Sequence, residues 1–290
     1  MTIAQLIPVA INLSMGLMVL ALGLHASWSD AISLLRQPAL LVRSFLSMNV
    51  VMTVLAVLVA VLFNLHPAVK LALVALALSP VPPILPGKQT KAGGSTSYVV
   101  GLLVTIAALS IVVVPLGIGA ISRWFDLSIG VPAARIASVV LMSVVAPLVI
   151  GLVIRQIAPA FASRLARPLS IFATVLLVVS FIPVLIKLLP VLMTMVGNGT
   201  LLALAIFTLI GVTVGHFLGG PEPDNRTVLA LASGTRHPGV AMAIASATFP
   251  DEKAVIAVVL WHLIVGAVVC IPYVNWRKRA HASALSKSGR

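Results

Sequence analysis

Acidic residues are scarce in this sequence. Of its 290 residues only six are Asp or Glu, against nineteen Lys and Arg, and charged residues make up only 9% of the chain. Soluble domains carry about 25% charged residues, so a soluble globular protein of this length is excluded. The six acids all fall in or near predicted loops; they are Asp30, Asp126, Glu222, Asp224, Asp251 and Glu252.

Cysteine is scarcer still, since Cys270 is the single one. One thiol cannot form an internal disulfide, and no Cys-x-x-Cys pair or His/Cys cluster suggests a structural metal. We interpret Cys270 as a packing residue. We expect no metal and no cofactor on these grounds.

What the sequence does contain is apolar residues. They make up 60% of the chain, and the mean hydropathy is +1.18. A helical span needs about 20 apolar residues, and the alternation of a membrane barrel is absent, so we predict an all-α integral membrane protein in the lipid bilayer. The net charge of +13 is concentrated near span ends and in the tail, which indicates topology and not nucleic-acid binding.

Charges, prolines and glycines divide the chain into about nine predicted transmembrane helices. They lie near 4–24, 38–64, 66–100, 101–122, 131–156, 165–189, 198–220, 223–250 and 254–276. Together they form one polytopic domain, 1–280, followed by a short basic tail, 281–290. An interfacial helix is predicted over 28–36, with Ser29 or Asp30 as its N-cap.

Basic residues also predict the orientation in the cell (inner) membrane. One side carries the tail and six arginines: Arg36, Arg43, Arg155, Arg164, Arg167 and Arg226. The other side shows chiefly Lys70, Arg123 and Lys253. Because cytoplasmic loops are enriched in Lys and Arg, we expect the C-terminus in the cytoplasm and the N-terminus outside.

Two polar stretches interrupt predicted spans. The first polar stretch, residues 85–97, reads LPGKQTKAGGSTS, and the second polar stretch, 233–239, reads SGTRHPG. They lie about half the chain apart, which predicts inverted repeats (1–125 and 126–280) with two discontinuous, crossed helices. The predicted helix-break residues are Pro86, Gly87, Gly93, Gly94, Gly234, Pro238 and Gly239.

The side chains of the two stretches are basic or hydroxylic, which favours an anion as ligand. The predicted substrate-binding residues are Lys88, Thr90, Lys91, Thr235, Arg236 and His237. In an alternative interpretation, Lys88 and Lys91 are a topological charge pair in an aqueous vestibule. His262 and His216 are candidates for proton handling, although an intramembrane histidine is more often a hydrogen-bonded packing residue.

These stretches resemble the helix crossings of the bile acid/sodium symporter family. The elements that carry the resemblance are Pro86-Gly87-Lys88-Gln89-Thr90-Lys91-Ala92, the run from Ala232 to Ala241, and Trp261-His262. The resemblance is distant, covers essentially the whole chain, and implies core and panel domains, alternating access, and loss of the first of ten helices. Where that family holds sodium, this sequence carries Ala232, Arg236, His237 and, in an uncertain register, Lys88 and Lys91.

We therefore expect a secondary transporter of a small organic anion, with sodium coupling in doubt. One alternative is a cation or proton antiporter on a related fold, although this needs an intramembrane acid. Another is a non-transporting membrane sensor. An enzyme is not expected, because no carboxylate orients His237. The sequence does not specify an oligomeric state.

Overall fold

The computed structural model of the chain describes residues 3–124, 132–248 and 253–288, and every regular element in these ranges is a helix. The α-helices are α1 (Ile3–His25), α2 (Trp28–Ala31), α3 (Pro38–Phe45), α4 (Met52–Leu62), α5 (Pro67–Leu78), α6 (Leu85–Lys91), α7 (Thr96–Trp124), α8 (Ala133–Val140), α9 (Ala146–Ile157), α10 (Pro159–Thr194), α11 (Thr200–Leu218), α12 (Pro223–Gly234), α13 (Pro238–Thr248) and α14 (Lys253–Ser288). Single π-helical turns join α3 to α4 and α8 to α9. Asp126, Asp251 and Glu252 lie outside the described residues.

Six helical segments in the described ranges are long and apolar enough to cross a membrane. They are Pro38–Leu62, Thr96–Arg123, Ile136–Ile157, Pro159–Thr194, Thr200–Leu218 and Ala254–Ala284. Two shorter apolar helices occupy Val9–His25 and Pro67–Leu78. The prediction of an all-helical, multi-pass membrane protein is confirmed, whereas the count of nine spans and the inverted repeat stay predictions.

The predicted boundary between residues 100 and 101 is wrong, because α7 runs through it without interruption. Gly101 does not end a helix there. A Cβ at Gly101 would collide with the Ser33 hydroxyl and with the backbone of Leu34, so this glycine permits close packing of α7 on the turn after α2. At the other end of the chain, α14 continues through most of the predicted tail, to Ser288.

The predicted interfacial helix is shorter than expected, and its N-cap is Ser27 instead of Ser29 or Asp30. Asp30 occupies the third helical position and closes a capping box by accepting a hydrogen bond from the Ser27 N–H at 2.8 Å. Its other carboxylate oxygen accepts from the Ser97 hydroxyl at the start of α7. Asp30 thereby ties α2 to the first turn of α7.

Small residues set the closest helix contacts. On α11, a Cβ at Gly211 would lie 2.5 Å from the Ser233 carbonyl oxygen of α12. On α9, a Cβ at Gly151 would lie 2.8 Å from the Cα of Gly23 on α1. Close backbone approach of this kind is how helices associate in lipid, where apolar side chains gain little from leaving the solvent. It also holds α12 firmly against α11.

Candidate functional site

The helical chain is interrupted at two places whose backbones touch. The first break, residues 79–84, separates α5 from α6, and the second break, residues 235–237, separates α12 from α13. The His237 N–H donates a hydrogen bond to the Pro80 carbonyl oxygen at 2.9 Å. Non-helical backbone at membrane depth must find partners inside the protein, and here each break supplies a partner for the other.

The first break lies earlier than the sequence suggested. Pro86 and Gly87 do not end a half-helix, because both lie in the first turn of α6. The half-helix that precedes the break is α5, which ends at Leu78, directly before the proline-rich run Ser79-Pro-Val-Pro-Pro83. Proline is tolerated in the first turn of a helix but disfavours helical backbone at the residue before it.

Gly93 and Gly94 form the turn between α6 and α7. Gly93 has a φ of 84°, in the left-handed region that favours glycine. Gly94 has no such torsion but has no space for a side chain, since a Cβ would lie 2.7 Å from Val228 Cγ2 and 2.9 Å from the Gln89 carbonyl oxygen. Gln89 is itself buried and donates a hydrogen bond to the Val228 carbonyl oxygen at 2.8 Å, which binds α6 to α12.

The second break lies within the second polar stretch. Gly234 is the last residue of α12 and Pro238 is the first residue of α13. A Cβ at Gly234 would lie 2.7 Å from Val212 Cγ2, so α12 ends in tight contact with α11. Gly239 follows Pro238 in the first turn of α13, beside the ring of His237.

Arg236 connects the second break to the end of α5. Its side chain is 1% exposed, and its Nη1 and Nη2 groups donate to the carbonyl oxygens of Ser79 at 3.2 Å and of Met48 at 2.7 Å. The Ser79 carbonyl lies at the C-terminal end of α5, where the helix dipole is negative and favours a cation. The guanidinium therefore sits at a carbonyl-lined cation position, while its Nε–H has no hydrogen-bond partner.

A cavity of about 320 Å³ lies beside this contact. Of the residues predicted for the site, it brings together Lys88 and Lys91 on α6, Thr235 and Arg236 in the second break, and His262 on α14. The rest of its wall is formed by Pro82, Ile84, Leu85, Leu231, Leu263, Gly266, Ala267, Cys270, Ile271, Val274, Asn275 and Lys278. None of these lining residues is acidic, so the cavity is a strongly basic space.

Three predicted side chains do not line this cavity. The Thr90 hydroxyl donates to the Pro86 carbonyl oxygen of its own helix at 3.0 Å. His237 turns its Nδ1 toward the N–H of Val240 at 3.3 Å and so caps α13. His216 lies elsewhere on α11, with its Nδ1 2.9 Å from the Tyr273 hydroxyl.

The structure adds three side chains that the sequence analysis did not assign to the site: Cys270, Asn275 and Lys278. All three lie on α14. Cys270 and Lys278 continue the four-residue spacing that begins at His262 and passes through Gly266 and Val274. Ending the last predicted span at residue 276 concealed this continuous face.

A second cavity, of about 280 Å³, shares Pro82, Ile84, Lys88 and Leu263 with the first. Its remaining wall is apolar and comes mainly from α10, with Met15 from α1, Pro83 from the first break and Pro238 from the start of α13. The Lys88 side chain thus borders a basic cavity and an apolar cavity.

The sodium bile acid symporter family matches residues 12–195, which is more than half of the chain. The chain belongs to this family. No curated protein matches the chain significantly. The match covers the first break, whereas the second break and α14 lie beyond it.

Membership in the family agrees with a membrane transporter and with the absence of an enzymatic function. The residues at the two breaks, however, do not fit a sodium ion beside Arg236. The Ser79 and Met48 carbonyl oxygens that face this position already accept hydrogen bonds from the guanidinium. A fixed positive charge would repel a second cation there, because Coulomb energies are large at low dielectric constant.

Proposed function

We propose that the chain is a secondary transporter that moves a small organic anion by alternating access and binds it in the basic cavity. The observation that carries the proposal is the set of four cationic side chains around a cavity whose lining, as far as the structure describes it, contains no acidic residue: Lys88, Lys91, Arg236 and Lys278. An uncompensated cation at membrane depth is costly, and a bound anion would supply the missing counter-charge.

We further propose that transport does not require sodium. The Arg236 guanidinium supplies a permanent positive charge at the end of α5, where it holds the two breaks together in every step of the cycle. In this arrangement the Ser79 and Met48 carbonyl oxygens already accept hydrogen bonds from the guanidinium, and its positive charge disfavours a sodium ion beside them. The other elements of the proposal are the core and panel domains, the inverted repeat, and a cavity that opens toward the cytoplasm near Lys278.

The second cavity supports an anion with an apolar body. A ligand whose charged group lies near Lys88 can place its apolar part against α10, where the wall includes Leu177, Phe181 and Leu185. Binding sites of this type are mostly apolar, with a few polar groups that fix the orientation. The two cavities together therefore suit an amphipathic organic anion.

Uptake into proteoliposomes tests the sodium proposal. We expect the purified protein to accumulate at least one of pyruvate, succinate and taurocholate at the same rate in sodium and in choline buffer. Arg236→Gln should abolish uptake, because the amide carries no charge. A steep increase of wild-type uptake with sodium concentration would contradict the proposal.

The native Cys270 tests the charge of the cavity independently of the substrate. Because Cys270 is the single thiol and lines the cavity near Lys88, an anionic methanethiosulfonate reagent should label it several-fold faster than a cationic reagent of similar size. Lys88→Gln should reduce this preference, and Cys270→Ala should remove labelling altogether. Equal rates for the two reagents in the wild type would count against an anion site.

A further inference from the structure

His262 is buried in the wall of the basic cavity without a hydrogen-bond partner among the residues that the structure describes. Its side chain is 1% exposed, and neither Nδ1 nor Nε2 is paired with any of these residues. Its ring packs edge-on against Phe207 of α11, with 5.8 Å between the ring centroids. Buried polar groups are nearly always paired, so an imidazole with two open nitrogens beside a cavity indicates a ligand that the cavity receives.

Other buried polar atoms around the cavity also lack a hydrogen-bond partner among the described residues. One is the Nε–H of Arg236, a residue that borders the cavity. Another is the Thr208 hydroxyl on α11, which is not part of the cavity wall but lies near Gly266, one turn after His262. An anionic oxygen in this part of the cavity can accept hydrogen bonds from the guanidinium and from the imidazole.

The charged side chains that border the cavity with His262 are all basic in the described part of the chain. Arg236 in the second break and Lys88 and Lys91 on α6 border the cavity, as do Cys270 and Lys278 on α14 itself. On α11, the neutral Phe207 packs against the His262 ring, and the neutral Thr208 lies near Gly266 on the next turn of α14. No acid is among the described residues of the cavity wall, so a bound anion would supply the negative charge that favours imidazolium.

We propose that His262 takes up one proton when an organic anion occupies the cavity, so that the protein is an anion–proton symporter. This inference rests on the proposed function and names its coupling ion. The proton enters from the aqueous side with the anion, resides on an imidazole nitrogen during transport, and is released when the anion leaves on the other side. By thermodynamic reciprocity, a proton that strengthens anion binding is itself bound more tightly in the presence of the anion.

The chain contains a matched control in His216. It is also an intramembrane histidine, but it lies outside the cavity, and its Nδ1 is paired with the Tyr273 hydroxyl. A general effect of removing a histidine would therefore appear in both His216→Gln and His262→Gln. Proton coupling should be lost only in His262→Gln, because glutamine can form hydrogen bonds at this position but does not titrate.

The test uses proteoliposomes that contain a trapped pH-sensitive dye, with succinate and taurocholate as the probes. Taurocholate is the anion of a strong sulfonic acid and cannot carry a proton through the lipid, and protein-free liposomes provide the background. In the wild type, we expect acidification of the lumen with anion uptake, and several-fold faster uptake under an inward proton gradient. In His262→Gln, the anion uptake that remains should cause no acidification, whereas His216→Gln should behave like the wild type.

Several outcomes would overturn the inference. Anion uptake by the wild type without acidification would contradict proton coupling but not the proposed transport function. Acidification during uptake by His262→Gln would contradict the role of His262. Uptake of neither probe overturns the proposed function and this inference with it. If His262→Gln does not fold, calorimetry of taurocholate binding to the wild type in buffers of different ionisation enthalpy decides, since no proton uptake on binding would contradict the proposal.

Discussion

The two breaks differ in composition and contribute opposite hydrogen-bonding groups to their contact. The first break presents backbone acceptors, the carbonyl oxygens of Ser79 and Pro80, and the second break supplies the donors, the Arg236 guanidinium and the His237 N–H. The lysines that follow the first break are exposed, whereas Arg236 in the second is fully buried.

This difference shows that basic residues near a helix break can have different roles. Arg236 is immobilised between two carbonyl groups, to which two of its N–H groups donate. Lys88 and Lys91 have no such partners on α6 and border a space that a ligand can enter. Whether a basic side chain stabilises the fold or is free to bind a ligand depends more on its burial and its hydrogen-bond partners than on its residue type.

The largest expected effect comes from removing the buried cation. Arg236→Ala eliminates two charge-assisted hydrogen bonds and leaves the Ser79 and Met48 carbonyls without this partner, so we expect a loss of about 2–4 kcal/mol in the free energy of unfolding. Denaturant titration of the purified protein in detergent measures this loss. Lys88→Ala, which removes an exposed cation on α6 after the first break, is the control and should change stability by less than about 0.5 kcal/mol. Equal losses of stability in the two variants would contradict the distinction between the structural Arg236 and the exposed Lys88.

A smaller effect is expected from glycine substitutions in the first polar stretch. Gly94→Ala places a methyl group 2.7 Å from Val228 Cγ2, and we expect it to cost about 1–3 kcal/mol. Gly87→Ala is the matched control, because it is helical and has no atom within 4 Å of the added carbon. It should stabilise the protein by about 0.5–1 kcal/mol. The same denaturant titration checks both, and a stabilising Gly94→Ala would show that α6 is not packed tightly on α12.

The smallest effect concerns Asp30, which anchors the helix after the first polar stretch. Burial raises the pKa of Asp30, but hydrogen bonds from Ser27 and Ser97 outweigh this and hold the pKa below its ordinary value of 3.8. Because the pKa is lower in the folded state, the carboxylate stabilises the protein above the ordinary pKa, and this stabilisation is lost as the pH falls through the folded-state value.

Unfolding measured between neutral pH and pH 3 should therefore show a stability difference between the wild type and Asp30→Asn that is about 1 kcal/mol at neutral pH and shrinks toward the acid end. Glu222→Gln serves as a control for the general effect of removing one acid. A difference that stays constant across this range would show that the charge of Asp30 does not hold α7 in place.

The sequence predicted the second break more closely than the first. Gly234 and Pro238 are the residues at which α12 ends and α13 begins. At the first break the prediction from Pro86 and Gly87 was wrong. A proline can either start a helix or follow its end, and the sequence around Pro86 does not distinguish the two cases. The three prolines between residues 80 and 83 were the more informative signal.

The candidate site was predicted in part. One cavity is lined by five of the predicted residues: Lys88, Lys91, Thr235, Arg236 and His262. Four of them were predicted from the two polar stretches, and His262 was predicted separately. Thr90 and His237 point elsewhere, because a hydroxyl within a helix and an imidazole before one both find local backbone partners. Lys278 was missed because helix α14 extends beyond its apolar part, held by hydrogen bonds from Arg277 to Thr227 and Pro223.

The sequence by itself determined that this is a helical membrane protein, that one helix break lies in the second polar stretch, and that the chain resembles a sodium symporter family with altered residues near the breaks. Apolar composition and proline chemistry act locally, so they are readable without coordinates. Only the tertiary structure decided that Arg236 lies against the carbonyls of Ser79 and Met48 and that His262 is left unpaired beside a basic cavity. Burial and hydrogen-bond partners depend on segments far apart in the chain, and these two properties distinguish a structural charge from a functional one.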